Sequence, residues 1–130
     1  MGRGHGGGLD CLTSLVASTL DRMAIFELRT YDIHPGKMPD IKARFRNHTL
    51  RIFKKHAIEV VDFWERAEGD AGQLIYVCLF EDEAQMKEAW ASFRADPEWV
   101  AARAASEANG PLTKQVTSVV MRRTDSSPIA

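Results

Sequence analysis

The chain has 130 residues, 45% of them apolar, so it is long enough to bury one core without disulfides or metal ions. Its 17 basic and 18 acidic side chains are spread along the sequence, and a net charge of -1 argues against the basic surface of a nucleic-acid binder. Cys11 and Cys78 are too few for a disulfide framework, and no apolar run is long enough to span a bilayer. We therefore expect a cytoplasmic protein with neither nucleic-acid nor membrane partners.

The first 22 residues differ in composition from the rest of the chain. They open with the glycine-rich run MGRGHGGG, and a strand-like pattern begins only after Met23. Glycine-rich terminal stretches are typically flexible. We expect residues 1–22 to be a flexible leader or an upstream extension, and residues 23–130 to form one domain.

The first predicted elements are a strand and a long helix. The segment IFELRTYDI alternates as a strand, which places Phe26 and Leu28 on one face and Ile25, Glu27, Arg29 and Tyr31 on the other. A helix is predicted from Met38 to His56, because four apolar residues recur at helical spacing: Ile41, Phe45, Ile52 and Phe53. Its basic residues are expected on a solvated face: Lys42, Arg44, Arg46, Arg51 and Lys55.

The second half of the chain predicts a hairpin, a broken helix and a last strand. IEVVDFWE and QLIYVCLF are strand-like runs joined by a turn from Gly69 to Gly72. Asp82 is expected to cap a helix whose inward stripe is Met86, Ala89, Trp90 and Phe93. Asp96 and Pro97 then predict a second helix, which turns Trp99 back toward the sheet, and VTSVVM is the last strand.

The order strand, helix, strand, strand, helix, strand predicts an α+β, ferredoxin-like βαββαβ fold with a four-stranded antiparallel sheet and both helical segments on one face. The other face is then bare. The strands of the hairpin are apolar at consecutive positions and would expose a large patch in a monomer. A second copy of the chain is the simplest cover, so we expect a homodimer.

Several short motifs in this order resemble the NIPSNAP family: ELRTY, HPGK, HTLRIFKKH, DFW, LIYV and finally FRADPEW. The resemblance spans roughly residues 24–128 and implies a dimeric α/β barrel, in which two sheets face one another and a pocket lies between sheet and helices. It supplies no reaction. In two places the chain has another residue where such proteins usually have glycine, namely Ala57 and Asp62.

The candidate pocket residues are His48, Arg29, Tyr31, Tyr76, Trp90 and Trp99. His48 is expected on the inward face of the first helix, either as a core histidine or as a pocket acid, base or ligand-orienting group. Arg29 and Tyr31 share a strand face, and Tyr76 shares one with Cys78 on the neighbouring strand, so a polar cluster is expected. It could line a cavity and hold a carboxylate or enolate, or it could be buried against a partner subunit.

Other chemistry finds little support in the sequence. The tryptophans Trp64, Trp90 and Trp99 are expected mostly in the core, and Cys78 is expected to be an inert strand cysteine. The histidines are too far apart for a metal site, so neither a metal nor a cofactor is expected. Two functions remain open. One is binding or transformation of a small apolar or carbonyl-containing metabolite, and the other is a noncatalytic interaction or assembly module.

Overall fold

The structure is a computed structural model that describes residues 23–69 and 72–124. Residues 1–22, for which a leader is predicted, lie outside the described residues, and so do residues 70 and 71 of the predicted hairpin turn. The elements in chain order are β1 (Ile25–Ile33), α1 (Met38–Arg44), a π-helical turn (Phe45–Thr49), α2 (Leu50–Lys55), β2 (Glu59–Glu65), β3 (Gln73–Phe80), α3 (Glu83–Ala95), α4 (Pro97–Ser106) and β4 (Thr113–Met121). We call α1, the π-helical turn and α2 together the first helix.

The four strands form one antiparallel sheet in the order β2-β3-β1-β4. The α+β class, the element order and the antiparallel sheet of the sequence prediction are confirmed. In the register of the sheet, Arg29 of β1 lies opposite Tyr76 of β3 on one side and opposite Ser118 of β4 on the other. Residues directly opposite one another point to the same face, so these three side chains lie on one side of the sheet.

The core lies between this side of the sheet and the helices. Alternate residues of β1 and β3 are buried there, as the strand alternation predicts. The helices contribute the apolar residues expected from their spacing, which are Ile41, Phe45, Ile52, Phe53, Met86, Ala89, Trp90 and Phe93. None of the helices in the described part of the chain is long and apolar enough to cross a membrane.

The opposite side of the sheet is bare and apolar, as predicted. No helix covers it in the described residues, and we call it the bare face; it carries Phe26, Leu28, Ile75, Val77, Leu79 and Val119. Trp64 also lies there, 48% exposed, so its predicted place in the core is wrong. The reason is a bulge between Val60 and Asp62, because one extra residue in a strand moves every later side chain to the opposite face.

Two predictions for the first helix are also wrong. In the π-helical turn the N–H of Leu50 bonds to the carbonyl of Phe45, five residues back. The wider turn moves the inward position to Thr49, which is 2% exposed, and leaves His48 exposed instead. Arg44, expected in solvent, is buried because α4 packs against this part of the first helix and Ser106 receives its hydrogen bond.

The two predicted helix starts are confirmed. The carboxylate of Asp82 accepts the N–H of Gln85 at 2.8 Å, and that of Asp96 accepts the N–H of Glu98 at 2.8 Å. Pro97 occupies the start of α4, where its missing N–H costs nothing. The break between α3 and α4 brings the ring of Trp99 to 4.7 Å from that of Phe93, so Trp99 does turn back toward the core.

Candidate functional site

Strand β1 places three polar side chains in a row under the helices. Glu27, Arg29 and Tyr31 alternate with Phe26 and Leu28 and therefore share the helix-facing side of the sheet. Antiparallel pairing sets Tyr76 of β3 directly opposite Arg29. These four residues, Glu27, Arg29, Tyr31 and Tyr76, are called the arginine–tyrosine cluster below.

Hydrogen bonds connect the whole cluster. The Nε–H of Arg29 donates to the hydroxyl of Tyr76 at 2.9 Å, and its Nη1 donates to Oε2 of Glu27 at 3.0 Å. The hydroxyl oxygens of Tyr31 and Tyr76 are 2.9 Å apart and share one further hydrogen bond. The polar cluster expected from strand parity is present, and it lies inside the subunit between sheet and helices.

Glu27 anchors this cluster, although sequence reasoning did not select it. It is 4% exposed, and besides the Arg29 bond its carboxylate accepts Nε1–H of Trp90 at 2.6 Å and the hydroxyl of Ser118 at 2.5 Å. Three donors, one of them a cation, compensate the cost of burying its charge. The sequence did point to Glu27, because strand alternation places its side chain on the same inward face as that of Arg29. Ser118 could be found only from the register of β4.

Arg29 is held rigidly, yet it keeps one free end. Its guanidinium carbon lies 4.3 Å from the centre of the Trp90 ring, in addition to the bonds to Glu27 and Tyr76. Its Nη2 has no hydrogen-bond partner in the described residues and is not among the buried unpaired atoms, and the side chain is 19% exposed. A fixed cationic donor is thus available to a ligand.

Burial keeps the other ionisable groups of the region protonated. It raises the pKa of Tyr76 well above its ordinary value, with the neighbouring Tyr31 adding to the effect. Burial also raises the pKa of the Cys78 thiol to about 12. Cys78 is therefore a poor nucleophile at neutral pH, in agreement with the sequence interpretation.

The free end of Arg29 lies beside an uncovered strip of sheet. Val116, Ser118 and Val120 of β4 lie opposite Tyr31, Arg29 and Glu27 respectively, and therefore point to the helix side. The helices nevertheless leave them open, because Val116 is 42% and Val120 46% exposed. These three residues are called the β4 shelf; it is apolar at both ends and has a hydroxyl in the middle.

The structure brings together four of the six residues that the sequence selected. Trp90 joins Arg29, Tyr31 and Tyr76 through its bonds to the cluster. Trp99 packs instead on the far side of Phe93, which separates it from Trp90. His48 is exposed and lines a different cleft, between the first helix and α4.

A metal site finds no support in the described residues, since they contain no group of three or more histidine, cysteine, aspartate or glutamate side chains placed to hold an ion. The cluster has one carboxylate, and that carboxylate is already saturated by donors from three side chains. The chemistry of the site is therefore that of a fixed guanidinium flanked by aromatic rings.

The sequence pattern of the NIPSNAP family matches residues 26–128, which include the cluster and all four strands except the first residue of β1. The chain belongs to the NIPSNAP family. The resemblance seen in its motifs is confirmed. Among curated proteins, none matches the chain.

Solved structures agree with this assignment. An uncharacterized NIPSNAP-like domain protein from Burkholderia xenovorans is 20% identical with a TM-score of 0.72, over 82% of this chain and 90% of that one. A NIPSNAP family protein of unknown function from Agrobacterium tumefaciens is 21% identical with a TM-score of 0.72, over 84% and 96%. SnoaB, a cofactor-independent oxygenase from Streptomyces nogalater, is 14% identical with a TM-score of 0.53, over 82% and 98%. At these identities the likeness shows a shared fold.

Proposed function

We propose that this NIPSNAP protein binds a small apolar molecule that carries a carbonyl or carboxylate oxygen. The molecule lies on the β4 shelf, and Nη2 of Arg29 holds its oxygen. The observation that carries the proposal is the unpaired end of a guanidinium that is otherwise fixed by Glu27, Tyr76 and Trp90 next to an open apolar strip.

The arrangement favours binding for two physical reasons. Arg29 loses little freedom when a ligand arrives, because its neighbours already fix the side chain, and a charge-assisted hydrogen bond gains from such preorganisation. Val116 and Val120 offer apolar contact on either side of Ser118, which suits a ligand with a flat hydrocarbon body. The preferred ligand is thus an aromatic ketone or an aromatic carboxylate.

Binding is better supported than acid–base chemistry. Tyr76 is fully buried and stays protonated, Cys78 is a thiol at neutral pH, and every printed bond of Glu27 is to a donor of the protein itself. The likeness to SnoaB, a cofactor-independent oxygenase, supports a small-molecule role for this fold. It adds no catalytic residue to this chain.

Isothermal titration with benzoate and with acetophenone tests the proposal. We expect saturable binding of the wild-type protein and a loss of about tenfold or more in the Arg29→Met variant, the equivalent of one charged hydrogen bond. Val116→Glu is the second variant, because it leaves the buried cluster intact and places a repelling charge on the shelf. Equal affinity in all three proteins would refute the proposal.

The bare face favours a second candidate function, that of an interaction module. Leu28, Val77 and Val119 belong to a continuous apolar surface on the opposite side of the sheet, and Trp64 extends it at one edge. Such surfaces mark protein interfaces, and a second copy of the same chain is the occupant we propose. Both functions can hold together, because the β4 shelf and the bare face lie on opposite sides of the sheet.

A further inference from the structure

The first helix and α4 are separated by a cleft of about 390 Å³, far from the arginine–tyrosine cluster in the sheet. Three alanines leave room at its centre: Ala43, Ala102 and Ala105. Polar side chains form the rest of its lining, and they include Lys37, Asn47, His48, Ser106 and Asn109. This volume lies within the range of small-molecule sites.

Arg44 borders the cleft and is poorly satisfied. The residue is 7% exposed, and its Nη1 donates to the hydroxyl of Ser106 at 3.0 Å and to Oε2 of Glu107 at 3.3 Å. Its guanidinium also lies 5.0 Å from the Trp99 ring. Its Nε is the one buried side-chain nitrogen or oxygen without a partner in the described residues. A buried charged donor left unpaired is costly, which indicates a missing acceptor.

The charges around Arg44 leave an excess of positive charge. The same oxygen of Glu107 that faces Arg44 also accepts from Arg103 at 3.4 Å, so one carboxylate serves two guanidiniums. At the cleft mouth, Lys37 offsets Asp40, and His48 adds a further donor. Burial lowers the pKa of Arg44, which reflects the cost of its charge in this position.

We propose that this cleft binds a small oxyanion, the phosphate or carboxylate group of a metabolite. Arg44 supplies the buried charge, while Lys37 and His48 reach the anion from the cleft mouth and Asn47 and Asn109 offer neutral hydrogen bonds. The site shares no residue with the arginine–tyrosine cluster or with the β4 shelf. It would give His48 a ligand-binding role at a place that the sequence did not predict.

The test is a titration of the full chain with inorganic phosphate and, separately, with acetate, followed in proton–nitrogen correlation spectra. We expect saturable shifts of the backbone amides of Asn47, His48, Ala102 and Ser106 at millimolar anion. A Lys37→Ala, His48→Ala double variant, which changes only the cleft mouth, should weaken binding about tenfold or more. Arg46→Ala is the matched control, because it removes one charge from the same helical turn outside the cleft.

Every outcome of the titration decides the matter. Saturation with phosphate alone identifies a phosphate site, saturation with acetate alone a carboxylate site, and saturation with both a general oxyanion site. No saturable shift with either anion overturns the proposal. Equal weakening in the double variant and in Arg46→Ala also overturns it, because binding would then follow overall charge. None of these results depends on what the β4 shelf binds.

Discussion

Arg29 and Glu27 form an ion pair whose value depends on both partners being present. Glu27 is 4% exposed, and its charge is compensated by donors from Arg29, Trp90 and Ser118. Removing one member of a buried pair is far more damaging than the net strength of the pair suggests, because the other charge is left uncompensated.

The first prediction concerns Glu27→Gln. We expect it to lower the free energy of unfolding by about 3 kcal/mol, since the guanidinium of Arg29 then lies in the protein without its carboxylate. Urea denaturation measures the change. Glu59→Gln, at an exposed position on β2, is the control and should stay within about 0.5 kcal/mol of wild type. A loss below about 1 kcal/mol in Glu27→Gln would mean that the pair contributes little.

At the residue scale, strand parity predicted most of the candidate site. Arg29, Tyr31 and Tyr76 were selected because alternation puts them on shared faces of neighbouring strands. The role of Glu27 was missed because its partners, Trp90 and Ser118, come from an unpredictable helix position and an unpredictable strand register. Sequence periodicity carries no information on either.

At the scale of elements, the end of α2 shows where this chain departs from its family. Ala57 has a backbone φ of 59°, in the left-handed region, and its N–H bonds to the carbonyl of Lys54. The N–H of Ile58 bonds to the carbonyl of Phe53, which completes the helix stop that usually has glycine at this position. The resemblance also expects glycine here.

The second prediction is that Ala57→Gly stabilises the protein by about 1 kcal/mol, because glycine adopts a positive φ without the clash of a Cβ atom. Thermal and urea denaturation measure the gain. The same substitution at Ala91, exposed inside α3, should cost about 1 kcal/mol and serves as the control with opposite sign. Two losses of similar size would contradict this account of the helix end.

The break between α3 and α4 is surrounded by charges. Asp96 accepts from Lys55 at 2.8 Å and from Nε2 of His56 at 2.6 Å, and these bonds hold the pKa of Asp96 well below its ordinary value. Bonds from Arg51 and Lys55 likewise lower the pKa of Glu98. The break therefore joins the end of the first helix to α4 through ionised carboxylates.

The third prediction follows from the sign of these shifts. A carboxyl group whose pKa is lowered in the folded state contributes stability above its unfolded pKa of about 4 and loses it as the pH falls below that value. We expect the melting temperature of wild type to fall more steeply below about pH 4 than that of Asp96→Asn. Parallel curves would contradict the role of Asp96. Glu88→Gln, exposed on α3, should follow wild type.

Element prediction from sequence failed where one residue is inserted into a regular pattern. The π-helical turn moved His48 outward and Thr49 inward, and the bulge in β2 moved Trp64 from the core to the bare face. Both insertions preserve the apolar spacing on either side, so periodicity gives no warning of them. The long apolar stripes and the capping residues Asp82 and Asp96 were predictable because each has a local physical cause.

At the scale of the whole molecule, the bare face leads to the fourth prediction, a homodimer. Light scattering coupled to gel filtration should give the mass of two chains, and Leu28→Asp should give one, because it buries a charge at the proposed interface. Val100→Asp is the control, since Val100 is equally apolar and is exposed on α4, away from this face. A wild-type monomer at micromolar concentration would contradict the dimer.

The most direct test of the proposed ligand site compares valine methyl signals on the two sides of β4. Val116 and Val120 lie on the shelf, whereas Val119 points to the bare face of the same strand. On addition of acetophenone or benzoate, proton–carbon spectra should show saturable shifts at Val116 and Val120, little change at Val119, and loss of these shifts in Arg29→Met. Shifts centred on Val119, or shelf shifts that persist unchanged in Arg29→Met, would contradict a ligand site organised by Arg29.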